Sequence, residues 1–266
     1  MNTKKKTLAD RMKEYESVTN YTLTKRMPIV IRVDGRAFHT VTKGFDKPYD
    51  DNFIDIMNYV ACYLLENLSG AKIAYVESDE ISIVLCPYDT FETEPMFDNR
   101  IQKLASVAAS MATFAFMRHL AENNLTYEKI FRLTENRTIT FDARVYPIPR
   151  EDVDNYLLWR QQDSKRNSIN SFGQHYIGKK AIMGMNTSQV MEKLKEIGHG
   201  DIPNYFYYGR TFVAGRGDRG YPFGAFNSTS KNPVLIFDDA DGITGNFLHS
   251  LIYCDIFEAA VEAKEA

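Results

Sequence analysis

The order of apolar segments in this chain predicts an α+β fold built on a ferredoxin-like βαββαβ sheet. Four short runs rich in β-branched residues have the pattern of buried strands, and two longer segments repeat apolar residues every three or four positions, as helices do. The segments follow one another as strand, helix, strand, strand, helix, strand, which is the order of a split βαβ sheet with two helices on one face. In that sheet the first and third strands are central neighbours.

Each element of the core has its own signal in the sequence. Apolar residues at helical spacing in a polar segment predict a lead-in helix within residues 7–24. The first strand covers about residues 28–34, and the first core helix begins with Asp50 as its N-cap and stops at Ser69 and Gly70. The next two strands are so close in sequence that they must form a hairpin. The remaining core elements are strands at residues 72–77, 80–86 and 138–145, and a helix at about residues 98–121.

Beyond this core the sequence predicts a helical and C-terminal extension. Two prolines, at positions 147 and 149, precede a third helix that runs from about residue 152 toward Gly173, and a shorter helix covers residues 186–197. The segment Tyr205–Arg210 mixes aromatic residues with a cation, which suits base stacking but is more typical of a packed surface flap.

Composition narrows the class of protein. With 44% hydrophobic and 25% charged residues, we expect one domain over residues 1–266, with a core at about 25–150 and an extension at about 151–266. The net charge of −3 means that any nucleic-acid contact must come from a local basic patch. The three cysteines have no CxxC spacing, which argues against a zinc site or a disulfide framework. Without an apolar run of 18 residues, we expect a cytoplasmic protein with no membrane partner.

Acidic residues stand at the ends of two predicted strands. Asp34 and Gly35 end the first strand, and Ser78, Asp79 and Glu80 form the tip of the hairpin. Because the first and third strands are neighbours, we expect Asp34 and Asp79 to converge. Carboxylates held close together repel unless a cation neutralises them, and a divalent cation with phosphate oxygens does so in many proteins. Together the two turns predict a metal site for nucleotide chemistry, whereas either turn alone is equally typical of a plain β-turn.

Two pairs of charged residues have both a binding and a structural interpretation. Arg100 and Lys103 lie three residues apart at the start of the second core helix, where cations are unfavourable unless an anion binds there. A solvated charged face is the alternative. Arg160 and Asp163 share one stripe of the third helix, as either a structural ion pair or part of a ligand-binding site.

Five short motifs occur in order between about residues 25 and 180. They are I-R-V-D-G-R-x-F-H at Ile31–His39, K-P-x-D at Lys47–Asp50, A-Y-x-x-S-D-E at Ala74–Glu80, F-D-x-R-V at Phe141–Val145 and W-R-Q-x-D at Trp159–Asp163. In this order they resemble the tRNA(His) guanylyltransferase family. Members of that family are polymerases that add nucleotides to the 5′ end of RNA in the 3′-to-5′ direction, on a palm sheet related to those of ordinary polymerases and nucleotidyl cyclases.

The resemblance implies a palm with a two-metal catalytic site. It assigns Asp34 and Asp79, with the Gly35 carbonyl, to two Mg²⁺ ions, and it assigns Glu80 to support of that site. The implied substrates are ATP and GTP or other nucleoside triphosphates. The implied nucleotide-binding residues are Arg36, Ala37, Phe38 and His39 through their backbone amides, Ser78, and the phosphate-binding cations Lys47, Arg100, Lys103 and Arg144. The RNA-binding or structural candidates are Arg160, Asp163, Lys165 and Asn167.

One segment departs from the family members that prepare tRNA(His). Those members carry H-I-N-N-L-Y-N just after the W-R-Q-x-D motif, whereas Lys165–Ser171 here reads K-R-N-S-I-N-S. The resemblance is therefore to the guanylyltransferase-like branch, whose proposed role is the repair of 5′-truncated tRNAs by templated addition. It implies activation of a 5′-monophosphate by ATP, attack by the 3′-hydroxyl of an incoming nucleotide, and a homotetrameric enzyme that binds the tRNA 5′ end.

Two other functions remain as alternatives at this point. A nucleotidyl cyclase places a similar acidic turn between two palm strands, but it needs Gly-Gly before the Asp-Glu pair, where this chain has Glu77 and Ser78. A non-catalytic RNA-binding protein could keep the palm as a scaffold only. The presence of both aspartates argues against that second alternative.

Overall fold

The computed structural model describes residues 6–88, 92–122, 138–214, 225–226 and 234–237. Within these residues one antiparallel sheet of seven strands carries helices on both faces. The strands are β1 Ile29–Gly35, β2 Ala71–Glu77, β3 Glu80–Leu85, β4 Phe141–Pro147, β5 Arg210–Ala214, β6 Ala225–Phe226 and β7 Val234–Phe237. The α-helices are α1 Leu8–Ser17, α2 Phe38–Val41, α3 Asp51–Asn67, α4 Ile101–Glu122, α5 Val153–Phe172, α6 Thr187–Glu196 and α7 Asn204–Tyr207.

The strand order confirms the predicted βαββαβ sheet. The strands lie in the order β4, β1, β3, β2, β5, β7, β6, so that β1 and β3 are central neighbours in the first part of the sheet. The strands β5, β7 and β6 continue the same sheet beyond β2. The sequence pattern had assigned no strand to this part of the chain.

The main core lies between the sheet and the helices α3 and α4. Asp50 is the N-cap of α3, as predicted, and its side chain accepts hydrogen bonds from the amides of Asn52 and Phe53. Small residues of α4, Ala108 and Ala112 among them, are fully buried and let this helix approach the sheet closely. By length and composition alone α4 could span a membrane, but its buried residues belong to this core.

The opposite face of the sheet carries α5. Residues alternate along β1, so that Ile29, Ile31 and Val33 join the α3/α4 core while Val30 packs in a second cluster with Leu157 of α5. Arg32 and Asp34 therefore belong to the α5 side of the sheet. On the same side the hydroxyls of Tyr156 and Ser82 lie 2.8 Å apart. This alternation places the polar chemistry of the chain on one face.

Two helices differ from the sequence-based expectation. α1 lies within the predicted residues 7–24, but none of its residues is buried, so the expected packing role is not observed. The helix α4 begins at Ile101 rather than near residue 98, because Phe97, Asp98 and Asn99 have positive φ angles of 53°, 52° and 57°. Left-handed residues cannot continue a right-handed helix.

Candidate active site

The end of β1 and the tip of the β2–β3 hairpin are joined by a hydrogen bond. The amide of Gly35 donates to the carbonyl oxygen of Asp79 at 3.1 Å. In the sheet register Asp34 lies opposite Glu80 of β3 on one side and opposite Asp142 of β4 on the other. The structure thus brings the three sequence-predicted catalytic acids, at positions 34, 79 and 80, to one end of the two central strands.

Burial raises the pKa values of the two aspartates, and a neighbouring acid raises each of them further. Burial raises the pKa of Asp34, the negative charge of Asp142 raises it further, and Arg144 and Arg32 oppose the shift. Burial also raises the pKa of Asp79, and the charge of Asp34 adds to it. A cation bound between these carboxylates would relieve both effects.

The donor set fits a cation such as Mg²⁺, which is usually held by one or two carboxylates together with water and substrate phosphates. Within the described ranges, no group of three or more His, Cys, Asp or Glu side chains could hold a metal ion by itself. Asp34 and Asp79 would hold the ion, and the Gly35 carbonyl stays a predicted ligand. Such a site is completed only by the substrate.

The turn after β1 is tightly constrained. A Cβ atom added to Gly35 would stand 2.5 Å from the Phe38 ring, whose side chain is buried in the main core. Ala37 adopts a left-handed conformation with φ 56°, which is unusual for a residue other than glycine. The Arg36 amide donates to the Thr140 carbonyl oxygen at 2.9 Å. The predicted phosphate-binding amide of Arg36 is therefore already engaged within the protein. The amides of Ala37, Phe38 and His39 remain predicted phosphate-binding groups.

A cavity of about 160 Å³ adjoins the hairpin tip. Ser78 and Glu77 line it from the hairpin, and Lys47 lines it from the loop before α3. Five apolar residues, Phe45, Pro48, Phe53, Ile54 and Phe206, form part of its wall, and polar or charged side chains form the rest. The other polar lining residues are Thr42, Asp46, Tyr49, Asp50, Ser164, Asn167, Ser168, Ser171 and Arg210.

The predicted phosphate-binding cations lie in three places. Lys47 lines the cavity, and Arg144 of β4 is close enough to Asp34 to lower its pKa. Arg100 and Lys103 instead line an open groove of about 270 Å³, together with Lys13 and Tyr21. The structure therefore does not bring all four predicted cations to one cavity.

The predicted RNA-binding or structural residues of α5 also separate. Arg160 is buried and forms ion pairs with Glu77, Glu80 and Asp163, an arrangement that favours the structural interpretation of the Arg160 and Asp163 pair. The Lys165 ammonium lies 4.5 Å from the centre of the Tyr208 ring. Asn167 is exposed at the cavity.

Sequence reasoning missed two charged residues at this site. Glu77 is a buried acid inside an apolar strand, a pattern that signals a buried charge partner. Arg210 is buried at the start of β5, where its Nε donates to the Asn58 side chain at 2.6 Å and its Nη1 donates to the Tyr205 carbonyl at 3.2 Å. The mixed aromatic and basic composition of that segment carried no signal for its position in the fold.

Comparisons of this chain with known proteins indicate the same family in each case. A family model described as tRNAHis guanylyltransferase matches residues 9–149. A probable tRNA(His) guanylyltransferase of Dictyostelium discoideum is 32% identical over 168 residues, which is 59% of this chain and 59% of that relative. The chain thus spans little more than half of that relative's length.

Two solved structures cover almost the whole chain. A bacterial tRNA(His) guanylyltransferase-like protein in complex with ATP has a TM-score of 0.78 and 31% identity, covering 94% of this chain and 100% of that one. The bacterial protein in complex with GTP has a TM-score of 0.73 and 31% identity, covering 92% and 99%. The family model spans more than half of the sequence, and the chain therefore belongs to the tRNAHis guanylyltransferase family of nucleotidyltransferases.

Proposed function

We propose that this protein adds nucleotides to the 5′ end of tRNA in the 3′-to-5′ direction, in a template-dependent repair reaction. The observation that carries the proposal is the position of Asp34 and Asp79 at one end of the sheet, beside a cavity lined by Ser78 and Lys47. Family membership and the ATP and GTP complexes of the bacterial relatives support nucleoside triphosphates as substrates.

The cavity suits part of a nucleotide. Its volume of about 160 Å³ is below the 300 Å³ or so of typical ligand pockets, so it accommodates the nucleoside half of a nucleotide better than the whole molecule. The triphosphate then extends toward the hairpin tip. There Lys47, Arg144 and the amides of residues 37–39 are the groups that contact phosphate oxygens.

Two Mg²⁺ ions held by Asp34 and Asp79 complete the proposed site. When bound, they supply positive charge that lowers the pKa of an attacking hydroxyl and neutralises the triphosphate. Glu80 lies opposite Asp34 in the sheet and adds a further acidic group at this end. Arg32 of β1 and Arg144 of the neighbouring strand β4 counter part of the negative charge of Asp34.

The reaction has two transfers at phosphorus. In the first, an oxygen of the RNA 5′-monophosphate attacks the α-phosphorus of ATP, forming a phosphoanhydride bond and releasing pyrophosphate. In the second, the 3′-hydroxyl of the incoming nucleotide loses its proton and attacks the 5′-phosphorus of the RNA, releasing AMP. When extension continues, the triphosphate of the added nucleotide is the activated end, and the next addition releases pyrophosphate.

The groove lined by Arg100 and Lys103 takes a second phosphate-bearing group of the substrates. It combines three cations, these two and Lys13, with the exposed ring of Tyr21.

We expect the enzyme to act in the cytoplasm as a homotetramer. Because Lys165–Ser171 differs from the segment of members that prepare tRNA(His), the proposed substrate is a range of 5′-truncated tRNAs.

The test uses a truncated tRNA labelled at its 5′-monophosphate, with ATP, all four nucleoside triphosphates and Mg²⁺. The proposal expects products lengthened at the 5′ end and none with Asp34→Ala or Asp79→Ala. A parallel reaction with GTP alone tests the cyclase alternative. A cyclic nucleotide in that reaction, together with no lengthened RNA in the first, would contradict the proposed function and favour the cyclase.

A further inference from the structure

Two carboxylates flank the tip that carries Asp79. Glu77 of β2 and Glu80 of β3 are directly opposite each other in the sheet, with Ser78 and Asp79 forming the turn between them. Their side chains are only 6% and 14% exposed. Like charges in directly opposed positions push the two strands apart. The tip therefore needs a positive charge that reaches both strands.

Arg160 of α5 supplies that charge. Its Nη2 forms an ion pair with Glu77, and its Nε forms an ion pair with Glu80, 2.8 Å from Oε1, without hydrogen-bond geometry. The same Nη2 lies 3.0 Å from the Asp163 carboxylate, one turn further along α5. With 6% of its side chain exposed, Arg160 is as buried as Glu77 and more buried than Glu80 and Asp163. One guanidinium thus connects both sides of the hairpin to α5.

Two further contacts fix this guanidinium and the acids around it. The Arg160 guanidinium carbon lies 4.6 Å from the centre of the half-exposed Trp159 ring, within the range of a cation–π contact. Arg32 Nε lies 3.7 Å from Glu80. The exposed Arg166 pairs with Asp163 and does not belong to the contacts of the hairpin.

The tip itself has a conformation that its surroundings must maintain. Ser78 has a φ of 48°, which is unfavourable for a residue with a Cβ and is kept only where neighbouring contacts enforce it. From the side of β1, the Gly35 amide fixes the Asp79 carbonyl oxygen. From the side of β2 and β3, the ion pairs of Arg160 restrain Glu77 and Glu80, the residues on either side of the turn.

We propose that Arg160 is a positioning residue that clamps the two sides of the hairpin and so holds Asp79 toward Asp34, a role that rests on the proposed function of this site. The clamp needs the extended guanidinium of arginine, because its Nε and Nη2 each form an ion pair with a carboxylate on a different strand. A lysine keeps the charge but offers one ammonium at one point. Arg160 contacts neither substrate nor metal in this role.

The test measures Mn²⁺ binding to the nucleotide-free full-length protein by titration calorimetry, together with kcat, KM and thermal melting. Arg160→Lys is expected to show a cooperative thermal melting transition, as a folded protein does. We expect it to bind Mn²⁺ at least about tenfold more weakly and to have a lower kcat, with an unchanged KM for RNA. Arg166→Gln is the matched control, since it removes an ion pair to the same Asp163 and leaves the hairpin contacts in place. It is expected to keep the Mn²⁺ affinity of the parent.

A second variant covers the case in which Arg160→Lys does not fold. Arg160→Met with Glu77→Gln removes the clamp without leaving an unpaired buried charge, because Glu80 keeps Arg32. It is expected to show the same weakened Mn²⁺ binding. Unchanged Mn²⁺ affinity and kcat in either folded variant would overturn the clamp. A parent protein that binds Mn²⁺ but lengthens no RNA would overturn the proposed function and leave the clamp intact.

Discussion

Asp34 and Asp79 are placed where their charges destabilise the protein in the absence of a cation. Burial raises the pKa of both side chains, and each acid has another acid nearby. A carboxyl group whose pKa is raised by folding favours the folded state in its protonated form. That contribution is present below the unfolded pKa of about 3.9 and is lost as the pH rises through the folded value. Such a loss of stability is what we expect of residues that the proposed function requires to be charged.

Asp79→Asn should therefore stabilise the metal-free protein at pH 7 while abolishing nucleotide transfer. We expect a gain of roughly 0.5–2 kcal/mol in the free energy of unfolding, because the amide keeps the shape of the side chain and removes its charge. The gain should vanish below about pH 3.9, where the native aspartate is protonated as well. Denaturant unfolding at both pH values checks this, and a loss of stability at pH 7 would contradict it.

Gly35→Ala tests the constraint on the turn after β1. The added Cβ would stand 2.5 Å from the buried Phe38 ring, so the turn or the ring must move. We expect a loss of about 1–3 kcal/mol, as for other overpacked sites, and weaker GTP binding. At Gly44 an added Cβ meets nothing within 4 Å, so Gly44→Ala should change stability by no more than about 0.5 kcal/mol. Equal effects of the two variants would show that the turn is not constrained in this way.

At the scale of elements, α3 depends on its N-cap. Burial alone would raise the pKa of Asp50, but hydrogen bonds from Asp46, Asn52 and Phe53 outweigh it and lower the pKa. The resulting stability is present above the unfolded pKa of about 3.9 and is lost as the pH falls through the lower folded value. Asp50→Ala should cost about 0.5–2 kcal/mol at pH 7 and less in strong acid. Melting curves at several pH values measure this, and a loss independent of pH would contradict it.

The packing of α4 rests on small side chains. Ala112 is fully buried against the sheet, whereas Ser110 is exposed on the other side of the helix. Ala112→Leu should destabilise the protein by about 1–3 kcal/mol because the larger side chain forces α4 away from the sheet. Ser110→Leu is the control and should remain within about 0.5 kcal/mol of the parent. If both leucines are tolerated equally in thermal melts, the close approach of α4 is not required.

The spacing of apolar residues predicted those strands and helices that bury one face. The β-branched runs and the stripes of α3 and α4 gave the order of the sheet, because each has one face that must be covered. The same reasoning located α1 but wrongly expected it to pack, since apolar spacing cannot tell a packed stripe from an exposed one. It also missed the left-handed residues Phe97–Asn99, because no glycine marks them.

For the whole molecule, the aspartates were predictable and the groups around them were not. Asp34 and Asp79 follow from topology, because two strand ends in a known sheet order have one possible meeting place. The partner of Glu77 is Arg160, 83 residues away, and that of Arg210 is Asn58, 152 residues away. Such pairings form when α5 and β5 dock against the rest of the sheet. No local pattern in the sequence predicts where these two elements dock. The cavity beside the hairpin tip is formed by the same docking.

The most direct test of the whole account is the location of metal and nucleotide in crystals of the protein grown with Mn²⁺ and a GTP analogue that cannot be cleaved. The account predicts anomalous peaks of Mn²⁺ bound by the carboxylates of both Asp34 and Asp79, with the nucleoside in the cavity beside Ser78 and Lys47. Mn²⁺ bound by only one of these aspartates, or a nucleotide found only in the groove of Arg100 and Lys103, would contradict it.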